Sequence, residues 1–136
     1  MLTRLAPDTV SAIPPRYAGI FSHGTIAEHP ARVVYLSGQI GVAPDGVTCT
    51  GFKAQAQQAM DNVEALLTVS DLTRLDFARV VYYVSVPAQL RPLSDLRRYR
   101  WSADTAPAVT TLVVAALAAP DLLVEIEVPA CQTRDQ

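Results

Sequence analysis

The sequence predicts an α+β domain, with both helices on one face of a sheet. Three observations predict this class: an amphipathic helix, a strand that is apolar on both faces, and the order of elements, which is strands, helix, strand, helix, strand, strand. The 136 residues, half of them apolar, are enough for one domain with a well-filled core. We expect a single domain over residues 1–136, with an irregular N-terminal segment over residues 1–15.

The first half of the chain contains a strand and the clearest helix. Residues 32–40 are rich in β-branched and aromatic side chains up to Gly38, and residues 43–47 are typical of a turn. From about Phe52 the apolar residues follow helical spacing, which predicts an amphipathic helix of about four turns. Its apolar stripe consists of Ala56, Ala59, Met60, Val63, Leu66 and Leu67.

The second half supplies three more strands. Residues 78–86 are β-branched and aromatic on both faces, which predicts a buried central strand. Residues 108–117 and 122–130 predict two strands joined by a turn. Because the second face of this sheet is also apolar and no element is left to cover it, we expect self-association.

A second helix is predicted between these strands, and it carries a basic cluster. Residues 88–101 place Leu90, Leu93 and Arg97 at helical spacing. The run "RRYR", residues 97–100, is predicted to form a solvated helix face, where arginines are usually found. The net charge of −2 gives no electrostatic case for nucleic acid or an anionic membrane as partner.

Nothing in the chain has the spacing of a metal or cofactor site, so we expect neither. Cys49 and Cys131 belong to no metal-binding pattern and are expected to stay reduced. His23 and His29 lack partners at ligand or triad spacing. No segment is apolar for long enough to be a signal peptide or a membrane span, and we therefore expect a cytoplasmic protein.

The segment "LLVEIEVPA", residues 122–130, places two carboxylates in an apolar run. Strand side chains alternate between faces, so Glu125 and Glu127 share one face while Val124, Ile126 and Val128 share the other. A half-exposed antiparallel strand has this pattern when its polar face meets solvent. The alternative is a cleft in which one carboxylate carries out proton chemistry.

Six segments together resemble the RidA/YjgF family, in family order and spacing over residues 17–130. They are "FSHG" (21–24), "VVYLSGQIGVAPDG" (33–46), "FKAQAQQAMDNVEALL" (52–67), "ARVVYYVSV" (78–86), "APAVTTLVVAAL" (106–117) and "LLVEIEVPA" (122–130). The resemblance implies a chorismate-mutase-like mixed sheet of about six strands with the two helices on one face. It also implies a homotrimer with a small-molecule cleft at each subunit interface, which would cover the second sheet face.

The resemblance also implies an activity, the hydrolysis of 2-imino or enamine acids to 2-oxo acids and ammonia. In that family an arginine in a "PAR" motif binds the substrate carboxylate, and a glutamate in the last strand positions water. The glutamate matches Glu125, whereas Val109 stands in place of the arginine, Phe21 in place of a tyrosine, and Thr111 where a cysteine is common. Valine cannot imitate a bidentate guanidinium, so we expect an arginine-less branch that is not a standard 2-imino acid deaminase.

Glu125 is the candidate catalytic residue, as general acid/base. Desolvation without a neighbouring cation favours its protonated form, which suits proton transfer near neutral pH. The candidate substrate-binding residues are Phe21, Ser37, Gly38, Gln39, Tyr83, Val109, Thr110 and Thr111. Strand alternation allows only one of the two threonines, and only one of Tyr82 and Tyr83, to face the cleft.

Two functions stay open at this point. One is an enzyme acting on an imine, enamine or carbonyl-type metabolite by hydrolysis, tautomerisation or elimination. The other is a non-catalytic trimer that binds a small molecule or a protein, in which Glu125 is a satisfied interface carboxylate. The partners expected are a small-molecule metabolite and two further copies of the chain, with neither nucleic acid nor membrane.

Overall fold

The computed structural model describes residues 2–104 and 106–133, which form a mixed sheet covered by two helices. Short 3-10 turns occur at Arg74–Asp76 and Pro87–Gln89. The elements in chain order are β1 (Thr3–Arg4), β2 (Thr25–Ile26), β3 (Arg32–Tyr35), β4 (Gln39–Ile40), α1 (Phe52–Val69), β5 (Arg79–Val84), α2 (Leu90–Trp101), β6 (Ala108–Val113), β7 (Val124–Glu127) and β8 (Pro129–Gln132).

The central sheet has the order β4-β7-β5-β6. β5 and β6 are parallel, whereas β7 runs antiparallel to both β4 and β5. β3 and β8 form an antiparallel pair that continues this sheet, since the backbone N–H of Leu36 donates to the carbonyl of Val128 at 3.0 Å. These six strands confirm the predicted mixed sheet. The two strands on either side of the predicted turn, β6 and β7, are separated by β5 rather than paired.

Both helices pack on one face of the sheet, as predicted. The core cluster joins apolar residues of α1 and α2 to alternate residues of β5 and β7, including Val80, Tyr82 and Ile126. Tyr82 is therefore buried, whereas Tyr83 points to the opposite face. Within the described ranges, neither helix is long and apolar enough to cross a membrane.

The predicted stripe of α1 is buried except for one residue. Ala56, Ala59, Met60, Val63 and Leu67 are completely buried. Leu66 is 39% exposed, so its assignment to the core was wrong. Helical spacing placed it at the edge of the stripe, and that edge is partly open to solvent.

Gln55 is a buried polar residue on the same face of α1. Its Nε2 donates to the carbonyls of Cys49 and Asp121, at 3.1 and 2.8 Å, and its Oε1 accepts from the backbone N–H of Leu123 at 2.8 Å. Gly41 packs against it so closely that a Cβ at position 41 would lie 2.5 Å from the Gln55 Cα. Through these hydrogen bonds Gln55 links two loops to α1, the one that contains Cys49 and the one that contains Asp121 and Leu123.

The basic cluster of α2 is only partly solvated. Arg98 is exposed, and Arg100 forms ion pairs with Asp61 and Glu64 of α1. Arg97 is only 6% exposed, so its prediction as part of a solvated face was wrong. It follows Leu93 by four positions and therefore shares the helix side that faces the sheet.

Candidate functional site

Glu125 lies on the sheet face opposite the helices. In the strand register it stands beside Tyr83 of β5 and Ile40 of β4. Glu127 shares this face, and the Tyr83 hydroxyl donates to its Oε1 at 2.7 Å. That hydrogen bond, aided by partial burial, raises the pKa of Tyr83 above its usual range. A phenol and two carboxyl groups are thus adjacent on one surface.

These groups line an open cavity of about 280 Å³, which we call the glutamate cavity. Its remaining walls come from the chain that follows β6 and from Gly38. The described lining residues are Gly38, Tyr83, Val114, Ala116, Leu117, Glu125 and Glu127. The cavity is therefore acidic on one side and apolar on the other.

Gly38 is required for the position of the Glu125 carboxylate. A Cβ at position 38 would overlap Oε2 of Glu125, so the carboxylate lies directly over the bare backbone between β3 and β4. Close approach of a group to the main chain is a common reason for glycine at a strand break. Any ligand beside Glu125 would also meet this stretch of backbone.

A second cavity, of about 250 Å³, lies between the N-terminal segment, α2 and β6. We call it the Val109 cavity. Its described lining residues are Tyr17, Ile20, Phe21, Leu90, Leu93, Ser94, Arg97, Val109 and Thr111. The rings of Tyr17 and Phe21 lie 5.8 Å apart at its rim.

The two cavities lie on opposite faces of the sheet. Tyr82 is paired in register with Thr111, so Val109 and Thr111 point toward the helices. Glu125 is paired with Tyr83 and points away from them. Val109 and Glu125 of the same subunit therefore do not line a common cavity.

The residues predicted from the sequence divide between these cavities. Gly38, Tyr83 and Glu125 line the glutamate cavity, and Phe21, Val109 and Thr111 line the Val109 cavity. The other three, Ser37, Gln39 and Thr110, are not among the lining residues of either one.

Of these three, Thr110 is exposed on the far face, as alternation with Thr111 requires. Ser37 is also exposed, and its carbonyl accepts a hydrogen bond from Gln39 Nε2 at 3.0 Å. This contact holds the Gln39 side chain beside the strand break. Either residue reaches a ligand only if that ligand extends along this edge of the sheet.

Sequence reasoning missed Tyr17, Ser94 and Arg97 as cavity residues. For Arg97 a signal was present, because it continues the spacing of Leu90 and Leu93 on the buried side of α2. Tyr17 and Ser94 had no comparable signal. No group of three or more His, Cys, Asp or Glu side chains in the described ranges is arranged to hold a metal ion.

Comparisons with known proteins identify the family to which this fold belongs. Residues 13–132 match the model of a family described as Endoribonuclease L-PSP. A RutC family protein from Aquifex aeolicus (strain VF5) is 33% identical over 64 residues, which are 46% of this chain and 51% of that protein. The chain thus matches about half the length of this curated relative.

Solved structures extend the similarity over nearly the whole chain. A Rid family protein of unknown function from Yersinia pestis, YyfB, has a TM-score of 0.82 at 28% identity, covering 96% of this chain and 98% of that one. RidA from an Antarctic Psychrobacter has a TM-score of 0.68 at 26% identity, covering 88% and 97%. The family match, the relatives and the fold agree, and the chain belongs to the RidA/YjgF family.

Proposed function

We propose that this chain is a RidA-like small-molecule enzyme that acts on an imine, enamine or carbonyl-type metabolite. The reaction is a hydrolysis or deamination, a tautomerisation or an elimination, with Glu125 as general acid/base. One observation carries the proposal: the Glu125 carboxylate lies over the bare backbone of Gly38, in a cavity where a ligand can reach both.

The proposed cleft is formed between subunits of a homotrimer. The glutamate cavity and the Val109 cavity cannot meet within one chain, because they lie on opposite faces of the sheet. β6 is the edge strand of the central sheet and exposes Leu112 and Val113, each 44% exposed. An apolar sheet edge is a favourable place for another copy to pack. Packing there would set the Val109 cavity of one copy against the glutamate cavity of the next.

Proton transfer by Glu125 would serve each reaction in this class. In the hydrolysis of an imine, the oxygen of water bonds to the imine carbon while the carboxylate accepts a proton from that water. Glu125 returns this proton to the imine nitrogen, which gives a carbinolamine. The carboxylate then accepts the proton of the new hydroxyl group and passes it to the amine nitrogen, so that the C–N bond breaks with its electron pair leaving on nitrogen, and the carbonyl product and ammonia are formed. The neighbouring Tyr83–Glu127 pair, joined at 2.7 Å, is available to hold the water or the substrate nitrogen.

The alternative is a non-catalytic trimeric member of the family that binds a ligand or a protein. It is favoured by the loss of the usual polar residues at positions 21 and 109, which are Phe21 and Val109 here. In that case Glu125 serves as an interface carboxylate. The two functions are distinguished by an activity measurement: an enzyme turns over some substrate at a rate that depends on Glu125, whereas a binding protein turns over none.

We expect the protein to be a trimer in solution. The reason is the exposed apolar edge of β6 and the division of the cleft between two sheet faces. Size-exclusion chromatography with multi-angle light scattering at micromolar concentration should give about three times the protomer mass. A stable monomer would remove both the trimer and the cleft.

We expect slow hydrolysis of short 2-imino acids such as 2-aminoacrylate, because Val109 cannot pair with the substrate carboxylate. The measurement couples an imine-generating amino-acid dehydratase or oxidase to this protein and follows release of the 2-oxo acid. An arginine-bearing family member serves as the positive control. The variant Val109→Arg is expected to gain activity if the cleft has the proposed geometry.

A wild-type rate equal to that of the positive control would contradict this expectation. It would mean that a different residue holds the carboxylate in the same place. The variant Thr110→Arg provides a matched control, because it adds the same charge one residue away on the opposite face of β6. It should not gain activity.

A further inference from the structure

The Arg97 guanidinium is buried, and within residues 2–104 and 106–133 it has no acidic partner. It donates to the carbonyl of Ile20 at 3.2 Å and lies over the ring of Tyr82, with Cζ at 4.5 Å from the centroid. In residues 2–104 and 106–133, no carboxylate lies within 4.0 Å of it, whereas Arg100 pairs with two. A buried charge that lacks a counter-ion is costly, and an arginine is rarely kept in this state without a use.

Tyr82 does not supply the missing negative charge. Burial raises the pKa of Tyr82 to about 12, against the opposing influence of Arg97. The phenol is therefore neutral at physiological pH. A guanidinium has five N–H donors, and the Ile20 carbonyl and the Tyr82 side chain leave several of them unused.

Arg97 also forms part of the wall of the Val109 cavity. Of the described residues that line this cavity, it alone carries a charge. Ser94, one helical turn earlier, and Thr111 on β6 contribute hydroxyl groups to the same wall. Neither hydroxyl has a hydrogen-bond partner in the described part of the chain, so both are available to a ligand.

Two further arginines lie close to Tyr17, a residue that lines the cavity. Arg16 lies over the ring of Tyr17, at 4.8 Å from the centroid, and Arg98 donates to the carbonyl of Arg16. The hydrogen bond and charge of Arg16, with a smaller contribution from Arg98, lower the pKa of Tyr17. The positive charge of Arg16 and Arg98 beside this cavity residue adds to that of Arg97, which favours an anion.

We propose that Arg97 binds the carboxylate of the substrate, from α2, in place of the arginine that position 109 lacks. This inference rests on the proposed function, because it assigns a substrate class to the same cleft: small organic acids. The carboxylate accepts hydrogen bonds from the guanidinium of Arg97 and from the hydroxyls of Ser94 and Thr111. Arg97 is a specificity-determining residue in this arrangement.

The position of Arg97 also limits which acids react. In a 2-imino acid the reacting carbon is bonded directly to the carboxylate carbon. Holding the carboxylate at Arg97 of α2 rather than at position 109 of β6 shifts that carbon relative to the Glu125 of the next copy. Carboxylate binding and slow hydrolysis of short 2-imino acids are therefore expected together.

The test compares pyruvate with its neutral isostere pyruvamide, titrated into the wild-type protein and followed by amide chemical shifts. The test variant is Arg97→Gln, whose amide can still donate to the Ile20 carbonyl and lie on Tyr82. The control is Arg91→Gln, which removes the same charge from an exposed position on α2. Thermal unfolding and light scattering establish that each variant is folded and assembled.

Pyruvate should bind the wild type at least about tenfold more tightly than pyruvamide, and Arg97→Gln should weaken pyruvate binding by roughly 10- to 100-fold. Pyruvamide binding should be unchanged in that variant, and Arg91→Gln should resemble the wild type. If Arg97→Gln fails to fold, Arg97→Lys replaces it: the charge remains without the planar fork, and pyruvate binding should weaken by a smaller factor.

Three results would overturn the assignment: no saturable binding of pyruvate to the wild type, equal affinity for the acid and the amide, or unchanged pyruvate binding in Arg97→Gln. Loss of the trimer in Arg97→Gln would also overturn it, since the guanidinium would then pair with a carboxylate of a neighbouring copy. The binding measurement does not require the protein to turn over pyruvate. A cleft that binds pyruvate through Arg97 but catalyses nothing would contradict the proposed function and leave this inference intact.

Discussion

Replacing Glu125 with glutamine is expected to lower the rate of the reaction in the cleft by roughly 10²- to 10⁴-fold, the usual contribution of a positioned general acid or base. Glutamine keeps the shape and most of the hydrogen bonding of the side chain but cannot exchange a proton. The carboxylate is half-buried and lies on the sheet surface rather than in the core. Assembly and thermal stability should therefore be nearly unchanged.

The measurement needs a substrate, which a metabolite extract can supply. The wild-type protein is incubated with the extract, and mass spectrometry identifies compounds whose depletion it accelerates. The rate for each compound is then measured with Glu125→Gln. Glu127→Gln is the matched control, because its amide oxygen can still accept the hydrogen bond of Tyr83. It should reduce the rate far less.

A structural role for Glu125 would give a different pattern. The trimer would weaken in Glu125→Gln, and any activity would fall only in proportion to the loss of trimer. Light scattering at the assay concentration distinguishes the two cases. A decrease of the same size in both glutamate variants would mean that the chemistry had been assigned to the wrong carboxylate.

The substitution Gln55→Ala is expected to lower the free energy of unfolding by roughly 2–4 kcal/mol, because it leaves buried backbone groups without partners. Three hydrogen bonds are lost, those to the carbonyls of Cys49 and Asp121 and the one from the N–H of Leu123. Urea denaturation followed by circular dichroism measures the loss, at one fixed protein concentration because assembly also contributes to stability.

Gln57→Ala is the control for this experiment. Gln57 lies on the exposed side of α1, two residues away, and its side chain makes no hydrogen bond within the described ranges. Its removal should change the free energy of unfolding by no more than about 0.5 kcal/mol. Equal effects of the two substitutions would show that the buried hydrogen bonds of Gln55 contribute no more to stability than an exposed glutamine side chain does.

The fold could be predicted from the sequence because its main elements have strong periodicity. The stripe of α1 and the alternation of Tyr82 and Tyr83 depend on local geometry, which the sequence carries directly. Leu66 was misplaced because spacing alone does not show how wide a band of the helix surface is covered. Gln55 could not be predicted to be buried, since two of its three partners, Asp121 and Leu123, are distant in sequence.

The candidate site was harder to predict, for reasons of register and environment. Alternation shows that Glu125 and Glu127 share a face, and that Thr110 and Thr111 do not. Only the pairing of β5 with both β6 and β7 shows that Val109 and Glu125 point in opposite directions. Arg97 was misassigned because arginines on helices are usually solvated, and its burial depends on Tyr82 and on the carbonyl of Ile20, both distant in sequence.

The contact between Gly38 and Glu125 makes these two positions epistatic. Any side chain at position 38 would displace the carboxylate of Glu125, whereas a chain with a small residue at position 125 would accept it. The order of substitution therefore matters to the evolution of this protein. A lineage that loses Glu125 first is free to replace Gly38, and from then on a glutamate restored at position 125 cannot take up its old place until the glycine also returns.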